Sequence, residues 1–95
     1  MQHRGRIFQI NVSNGGVPKL PIESAVVAQR GITTDRQADL RAHGSLDQAL
    51  CIYAAELIGK LQDEGHRVYA GCLGENITTE RVEWRLMTPG TRVRL

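Results

Sequence analysis

The 95 residues fit one small domain. Twelve Lys and Arg against ten Asp and Glu leave a net charge of +2, too small an excess to make nucleic acid or an anionic membrane the main partner. The 41% hydrophobic fraction supports a core rather than a disordered chain; with four aromatic residues (Phe8, Tyr53, Tyr69 and Trp84) that core must be mostly aliphatic, and a stacking platform for single-stranded nucleic acid is not expected. Along the chain, Phe8, Ile10 and Val12 alternate with Gln9 and Asn11, the period of a half-buried strand. Ser13-Asn14-Gly15-Gly16 breaks it, and Pro18 and Pro21 keep the next stretch extended and outside a central ladder. Ser24 to Arg30 predicts a second strand around Ala25-Val26-Val27. From Gly31 to Gly44 the sequence is polar and mixed, which predicts a long ordered loop of the kind that often carries function.

The strongest periodic signal follows. Ser45-Leu46-Asp47-Gln48 has the form of a capping box, and Leu46, Ala49, Leu50, Tyr53, Ala54, Leu57 and Leu61 recur at helical spacing. This predicts one main helix from Ser45 to Glu64, closed by Gly65. His66 to Ala70, Asn76 to Thr79, Val82 to Met87 and Thr91 to Leu95 each predict a short strand, with turns at Gly71 to Gly74 and at Pro89-Gly90. Ten glycines suit a fold of many tight turns. The expected class is mainly β with one main α-helix.

Cys51 and Cys72 stand alone, without a CxxC, so neither a disulfide scaffold nor a zinc ribbon is expected. On the predicted helix Cys51 reads as a small buried hydrophobe. No secretory h-region follows the N-terminal Arg4 and Arg6, and no apolar run reaches the roughly 18 residues of a membrane helix. We therefore expect a cytoplasmic protein with no membrane partner.

Three segments carry candidate chemistry. In Ser13 to Lys19, paired glycines can expose backbone N–H groups and Lys19 adds a cation, so the loop can hold an anion, or can be a simple turn with a solvated lysine. Asp35, Asp39, His43 and Asp47 offer metal-binding or proton-transfer groups without matching a zinc spacing; loop packing and helix capping explain them better, and no metal site is expected. In Gly71 to Asn76, Glu75 and Asn76 can fix a polar ligand, or satisfy a turn.

Taken in order, Ser13-Asn14-Gly15-Gly16-Val17-Pro18-Lys19, Asp35-Arg36-Gln37-Ala38-Asp39, His43 to Tyr53 and Gly74-Glu75-Asn76-Ile77-Thr78-Thr79 resemble the MOSC domain, named for the C-terminal domain of molybdenum cofactor sulfurase, and its small stand-alone bacterial members most closely. The resemblance implies a β-barrel with a few helices. It departs at Thr34, at Ser45, and at Arg81-Val82, where the family usually has Gly-Leu. Members continue into a later segment with a reactive cysteine that neither Cys51 nor Cys72 matches, so an incomplete barrel is expected here. The resemblance implies binding of the molybdenum cofactor, or a related phosphorylated pterin or other small anion, by Gly15, Gly16, Lys19, His43, Glu75 and Asn76. Sulfur transfer or reduction of N-hydroxylated compounds is the associated chemistry. The alternative is an assembly module without catalysis. An open barrel edge near Thr91 to Leu95 further implies a homodimer.

Overall fold

The computed structural model describes residues 3–13, 15, 17–34 and 49–95. Strand β1 (Arg6–Val12) is central and pairs antiparallel on one side with β2 (Leu20–Ile22) and on the other with β6 (Ile77–Glu80). Strand β5 (Ile52–Ala54) pairs parallel to β6, giving an open four-stranded sheet in the order β2-β1-β6-β5. A two-residue hairpin, β3 (Val27–Ala28) and β4 (Gly31–Ile32), stands apart from it. Helix α1 (Ala55–Asp63) follows β5 without a loop. Among the described residues the protein is thus mainly strands with one helix, and the sheet is not closed into a barrel.

Local sequence explains the elements that form. The alternating apolar residues of 8–12 lie in β1, and Phe8 is the extra residue of a bulge, since Ile7 pairs with Thr79 and Gln9 with Thr78. Arg6 and Glu80 sit opposite one another and form a cross-strand ion pair at 3.3 Å. Pro21 lies in an edge strand, where its missing N–H removes nothing from a ladder. Gly65 closes α1 with φ +96°, its N–H donating to the Gln62 carbonyl.

The helix start is corrected. Ala49 to Cys51 are irregular, and Ile52 to Ala54 are extended rather than helical. Tertiary pairing overrides the apolar period: the Cys51 carbonyl accepts from Asn76 N–H (2.8 Å) and Ile77 N–H (3.2 Å), and the β-favouring Ile52-Tyr53 pair joins the ladder with Ile77 and Thr78. The capping box at 45–48 lies outside the described residues. Cys51 is exposed ahead of β5, not buried on a helix, and both cysteines are free.

Four strand expectations are also corrected. Of Ser24 to Arg30 only Val27 and Ala28 lie in a strand. His66 to Ala70 form no strand: Gln62 and Gln9 side chains take the Val68 and Ala70 carbonyls, and the Tyr69 carbonyl accepts from Cys72 N–H. Val82 to Met87 instead hold a 3₁₀ turn, Trp84–Leu86, because Arg81 leaves β6 with a left-handed φ of +60°. Thr91 to Leu95 are exposed and unpaired, since Thr91 folds back on the turn, its N–H on the Thr88 carbonyl and its hydroxyl on the Leu86 carbonyl. Among the described residues, no helix is long and apolar enough to cross a membrane.

Candidate functional site

Topology gathers the candidate residues at one end of the sheet. The C-terminal end of β1 carries Asn11, and the antiparallel β6 begins beside it after Glu75-Asn76. β2 begins after Lys19, and the parallel β5 begins after Cys51. Four strand ends therefore meet there, and the side chains at them are polar and buried. Asn11 and Thr78 are wholly buried, Glu75 is 1% exposed, Asn76 4% and Lys19 7%.

Such groups remain buried only when hydrogen bonds replace water. Asn11 Nδ2 donates to the Glu75 carbonyl (3.2 Å) and to Thr78 Oγ1 (3.0 Å), while its Oδ1 accepts from Gln9 Nε2 at 2.6 Å. Thr78 Oγ1 passes its proton toward Glu75 Oε2 at 2.8 Å, and Gly71 N–H donates to the same oxygen at 3.0 Å. Glu75 Oε1 is buried and has no hydrogen-bond partner among the described residues. Asn76 Oδ1 accepts from Cys51 N–H at 2.9 Å, which ties the start of β5 to the start of β6.

Gly71 joins the Lys19 segment to this cluster. Its carbonyl accepts from Lys19 N–H at 2.9 Å. At its φ of +96°, a Cβ would collide with the Lys19 carbonyl oxygen and lie 3.2 Å from Asn11 Oδ1. Only glycine allows both the turn and this approach. Val17 likewise packs over Gly74.

The Cys51 thiol lies in the field of this cluster. Partial burial pushes it above the ordinary thiol range, the Glu75 carboxylate pushes the same way, and the Lys19 ammonium pulls it back. It is a protonated thiol at neutral pH, not an activated nucleophile.

Of the six residues expected to bind an anion, Lys19, Glu75 and Asn76 thus come together. Gly15 lies in the exposed turn after β1, its N–H on Ser13 Oγ at 3.2 Å. Gly16 and His43 lie outside the described residues, as do Asp35, Asp39 and Asp47. Among the described residues no three His, Cys, Asp or Glu side chains converge as metal ligands.

Asn11 and Gln9 belong to the cluster and were not anticipated, whereas Gly71 and Thr78 lie in segments that the sequence singled out without giving them a binding role. Asn11 occupies a polar position of the alternating strand and so reads as solvent-facing. Its one signal is the neighbouring Gln9, two residues away and hence on the same face.

A groove of about 400 Å³ adjoins the cluster through Gln9 and Lys19, running between α1, the β1–β2 hairpin and Tyr69-Ala70.

No curated protein and no solved structure matches the chain. The profile of the family described as MOSC domain matches residues 39–95. The match takes in Cys51, Gly71, Glu75, Asn76 and Thr78, while Asn11 and Lys19 precede it and join the cluster through the sheet. Since the matched stretch is more than half of the sequence, the chain belongs to the MOSC domain family.

Proposed function

We propose that the polar end of the sheet binds a small phosphorylated heterocycle of the molybdenum cofactor type, with Lys19 meeting the anion and the Gly15-Gly16 turn and His43 adding donors. The family's link to molybdenum cofactor sulfurase supports this reading. The observation that carries it is the buried cluster itself. Lys19 and Glu75 are both buried and both bonded to Gly71, while among the described residues few apolar side chains are buried, and Glu75 Oε1 keeps an unused acceptor there. Evolution of a stable fold alone favours apolar groups at such positions.

The residues present fit the organic and anionic parts of such a group: a cation, an orphaned acceptor and a glycine-built turn. When bound, the cofactor supplies metal-centred redox and sulfur chemistry. The chain binds and orients it. Asn76 and Oε2 of Glu75 are engaged in holding Cys51, Gly71 and Thr78, so they shape the site, and Oε1 of Glu75 is the atom left for a ligand donor. Sulfur transfer or reduction of N-hydroxylated compounds by the loaded protein would need a reactive cysteine that neither Cys51 nor Cys72 supplies.

The test has two parts. Purified protein is assayed for bound molybdenum and pterin fluorescence, and phosphate binding is titrated by calorimetry. Lys19→Met keeps the apolar stem and the backbone bond to Gly71. We expect it to weaken phosphate binding roughly tenfold, about 1.4 kcal/mol, in a protein that remains folded by circular dichroism. Equal phosphate affinity in the variant refutes the assignment.

A second reading, an assembly module acting as a homodimer, is favoured by one observation. Among the described residues Ile32, Ile58 and Ile77 are the buried apolar core, while thirteen large hydrophobic residues are exposed, Val93 (54%) and Leu95 (59%) among them. Sedimentation at micromolar concentration gives a dimer on this reading, and a stable monomer removes it.

A further inference from the structure

The chain's net charge of +2 is unevenly placed. β1 starts and β6 ends at the end of the sheet away from the polar cluster. His3 Nε2 accepts from the Glu83 N–H at 3.1 Å, and Gly5 packs against Val82, so residues 3–6 are held to those that follow β6. Thr91 is bonded to Thr88 and Leu86, which keeps Arg92 beside the 3₁₀ turn. The Arg81 N–H ties Glu56, at the start of α1, to the same end. Arg4, Arg6, Arg81, Arg85, Arg92 and Arg94 are thereby gathered with Glu56, Glu80 and Glu83. That local balance of +3 exceeds the charge of the whole chain, in whose remainder seven acidic residues outnumber six basic ones.

The glutamates do not neutralise this face. Glu80 is taken by Arg6 at 3.3 Å, Glu83 by Arg85 at 2.9 Å and Glu56 by the Arg81 N–H. Arg4, Arg92 and Arg94 make no ion pair among the described residues, and all six arginines are exposed. Like charges held together repel one another, and an opposite charge brought to them relieves that cost. Among them stand apolar side chains that the core leaves out: Ile7, Trp84, Leu86 and Val93 are each at least 40% exposed. Arginine and tryptophan beside exposed apolar residues is the composition of protein-binding surfaces, where those two residue types supply the anchors.

We propose that this end of the sheet docks an acidic, partly apolar segment of another protein. Carboxylates of the segment meet Arg4, Arg92 and Arg94, since a guanidinium fork matches a carboxylate in two parallel hydrogen bonds. Its apolar residues cover Trp84 and Leu86. A nucleic acid backbone fits less well, because it offers Leu86 and Val93 no apolar contact and meets Glu80 and Glu83 among the arginines. The same face of a second copy would set arginine against arginine. The surface lies at the opposite end of the sheet from Lys19 and stands independently of the anion assignment above.

A short fluorescein-labelled peptide of Asp-Glu-Leu repeats is titrated against the full chain by anisotropy at rising salt. It should bind about tenfold tighter than Asn-Gln-Leu repeats or Asp-Glu-Ser repeats and lose affinity as salt screens the arginines. Arg92→Glu combined with Arg94→Glu, at exposed positions without ion pairs, should weaken binding about tenfold, chiefly by slowing association. Arg30→Glu combined with Arg67→Glu makes the same change in net charge in the β3–β4 turn and past the far end of α1, and should change the affinity less than about twofold. Circular dichroism checks that both variants remain folded. Equal losses in the two variants would reduce the effect to net charge and overturn the docking surface. Binding of a single-stranded RNA of matched charge as tightly as the peptide, equal affinity for the serine repeats, or no peptide binding overturns it as well.

Discussion

Gly65 and Gly71 form a matched pair for asking what holds the buried polar cluster together. Both have φ of +96°. At Gly65 a Cβ meets nothing within 4 Å, whereas at Gly71 it collides with the Lys19 carbonyl oxygen. Alanine at either position carries the left-handed penalty of about 1–2 kcal/mol, offset by roughly 0.4–1 kcal/mol of unfolded-state entropy. Gly65→Ala should therefore cost about 1 kcal/mol. At Gly71 the Lys19 carbonyl must also retreat by about an ångström to restore van der Waals distance. That movement strains the 2.9 Å bond from Lys19 N–H and the 3.0 Å bond from Gly71 N–H to Glu75 Oε2. Losing one buried bond adds about 1–3 kcal/mol, and overpacking adds a similar amount. Gly71→Ala should thus lose about 3 kcal/mol or more. The gap of about 2 kcal/mol corresponds to a melting difference of roughly 8 °C or more in a domain this size. Urea denaturation followed by far-UV circular dichroism measures both variants. Equal midpoint shifts would show that backbone conformation alone sets the glycine requirement and would refute the close approach.

Three further outcomes are expected. In a Cys72→Ser background, alkylation of Cys51 by iodoacetamide should be slow at neutral pH and inflect above the ordinary thiol value; Lys19→Met should raise that inflection further, and an inflection below the ordinary value would contradict the burial and the Glu75 field. Glu56 is held below the usual carboxylate range, first by the Arg81 N–H on its Oε2 at 2.6 Å. A depressed folded-state pKa gives stability that is complete above the unfolded carboxylate pKa and is lost as pH falls through the folded one. Melting curves of Glu56→Gln should accordingly show a shallower acid loss than the wild type, with parallel curves counting against the contact. Arg81→Gly relieves a left-handed arginine at about 1–2 kcal/mol and surrenders about 0.4–1 kcal/mol to unfolded-state entropy; a small rise in the urea midpoint is expected, and a fall would show that the arginine side chain stabilises the turn.

Arg81 also shows how far the sequence can be read. Its departure from the usual family glycine is visible in the sequence, and the left-handed φ of +60° gives that glycine its physical reason. Signals that depend on a residue and its near neighbours were legible: the break after Val12, the edge position of Pro21, the helix stop at Gly65, and the strand expected over Asn76 to Thr79 and found at Ile77–Glu80. Signals that depend on pairing were not. The apolar residues from Ala49 to Ala54 satisfy a helical period and a strand equally, and the choice is made by Asn76 and Ile77, twenty-five residues on. Val82 to Met87 and Thr91 to Leu95 alternate as strands do, but among the described residues no neighbour offers them a ladder, so local turns take their backbone groups.

The corrected helix start is what assembles the candidate site. Parallel pairing of β5 with β6 places the residue before one strand beside the residues before the other, and so Cys51 beside Glu75 and Asn76. A helix begun at Ser45 would turn Cys51 away from them. Antiparallel pairing of β1 with β6 then brings Asn11, near the end of its strand, to the same level, and the β1–β2 hairpin returns Lys19 there. The residues that meet are scattered over 66 positions of sequence, from Asn11 to Asn76, yet three pairings suffice to collect them. The same pairings account for the inverted alternation of β1. Ile10 and Val12 are half-buried, while Asn11 between them is wholly buried, because the face that turns toward Glu75 and Thr78 is the polar one. A strand of this domain therefore buries its amides to build a site, and its apolar residues remain partly uncovered as a consequence.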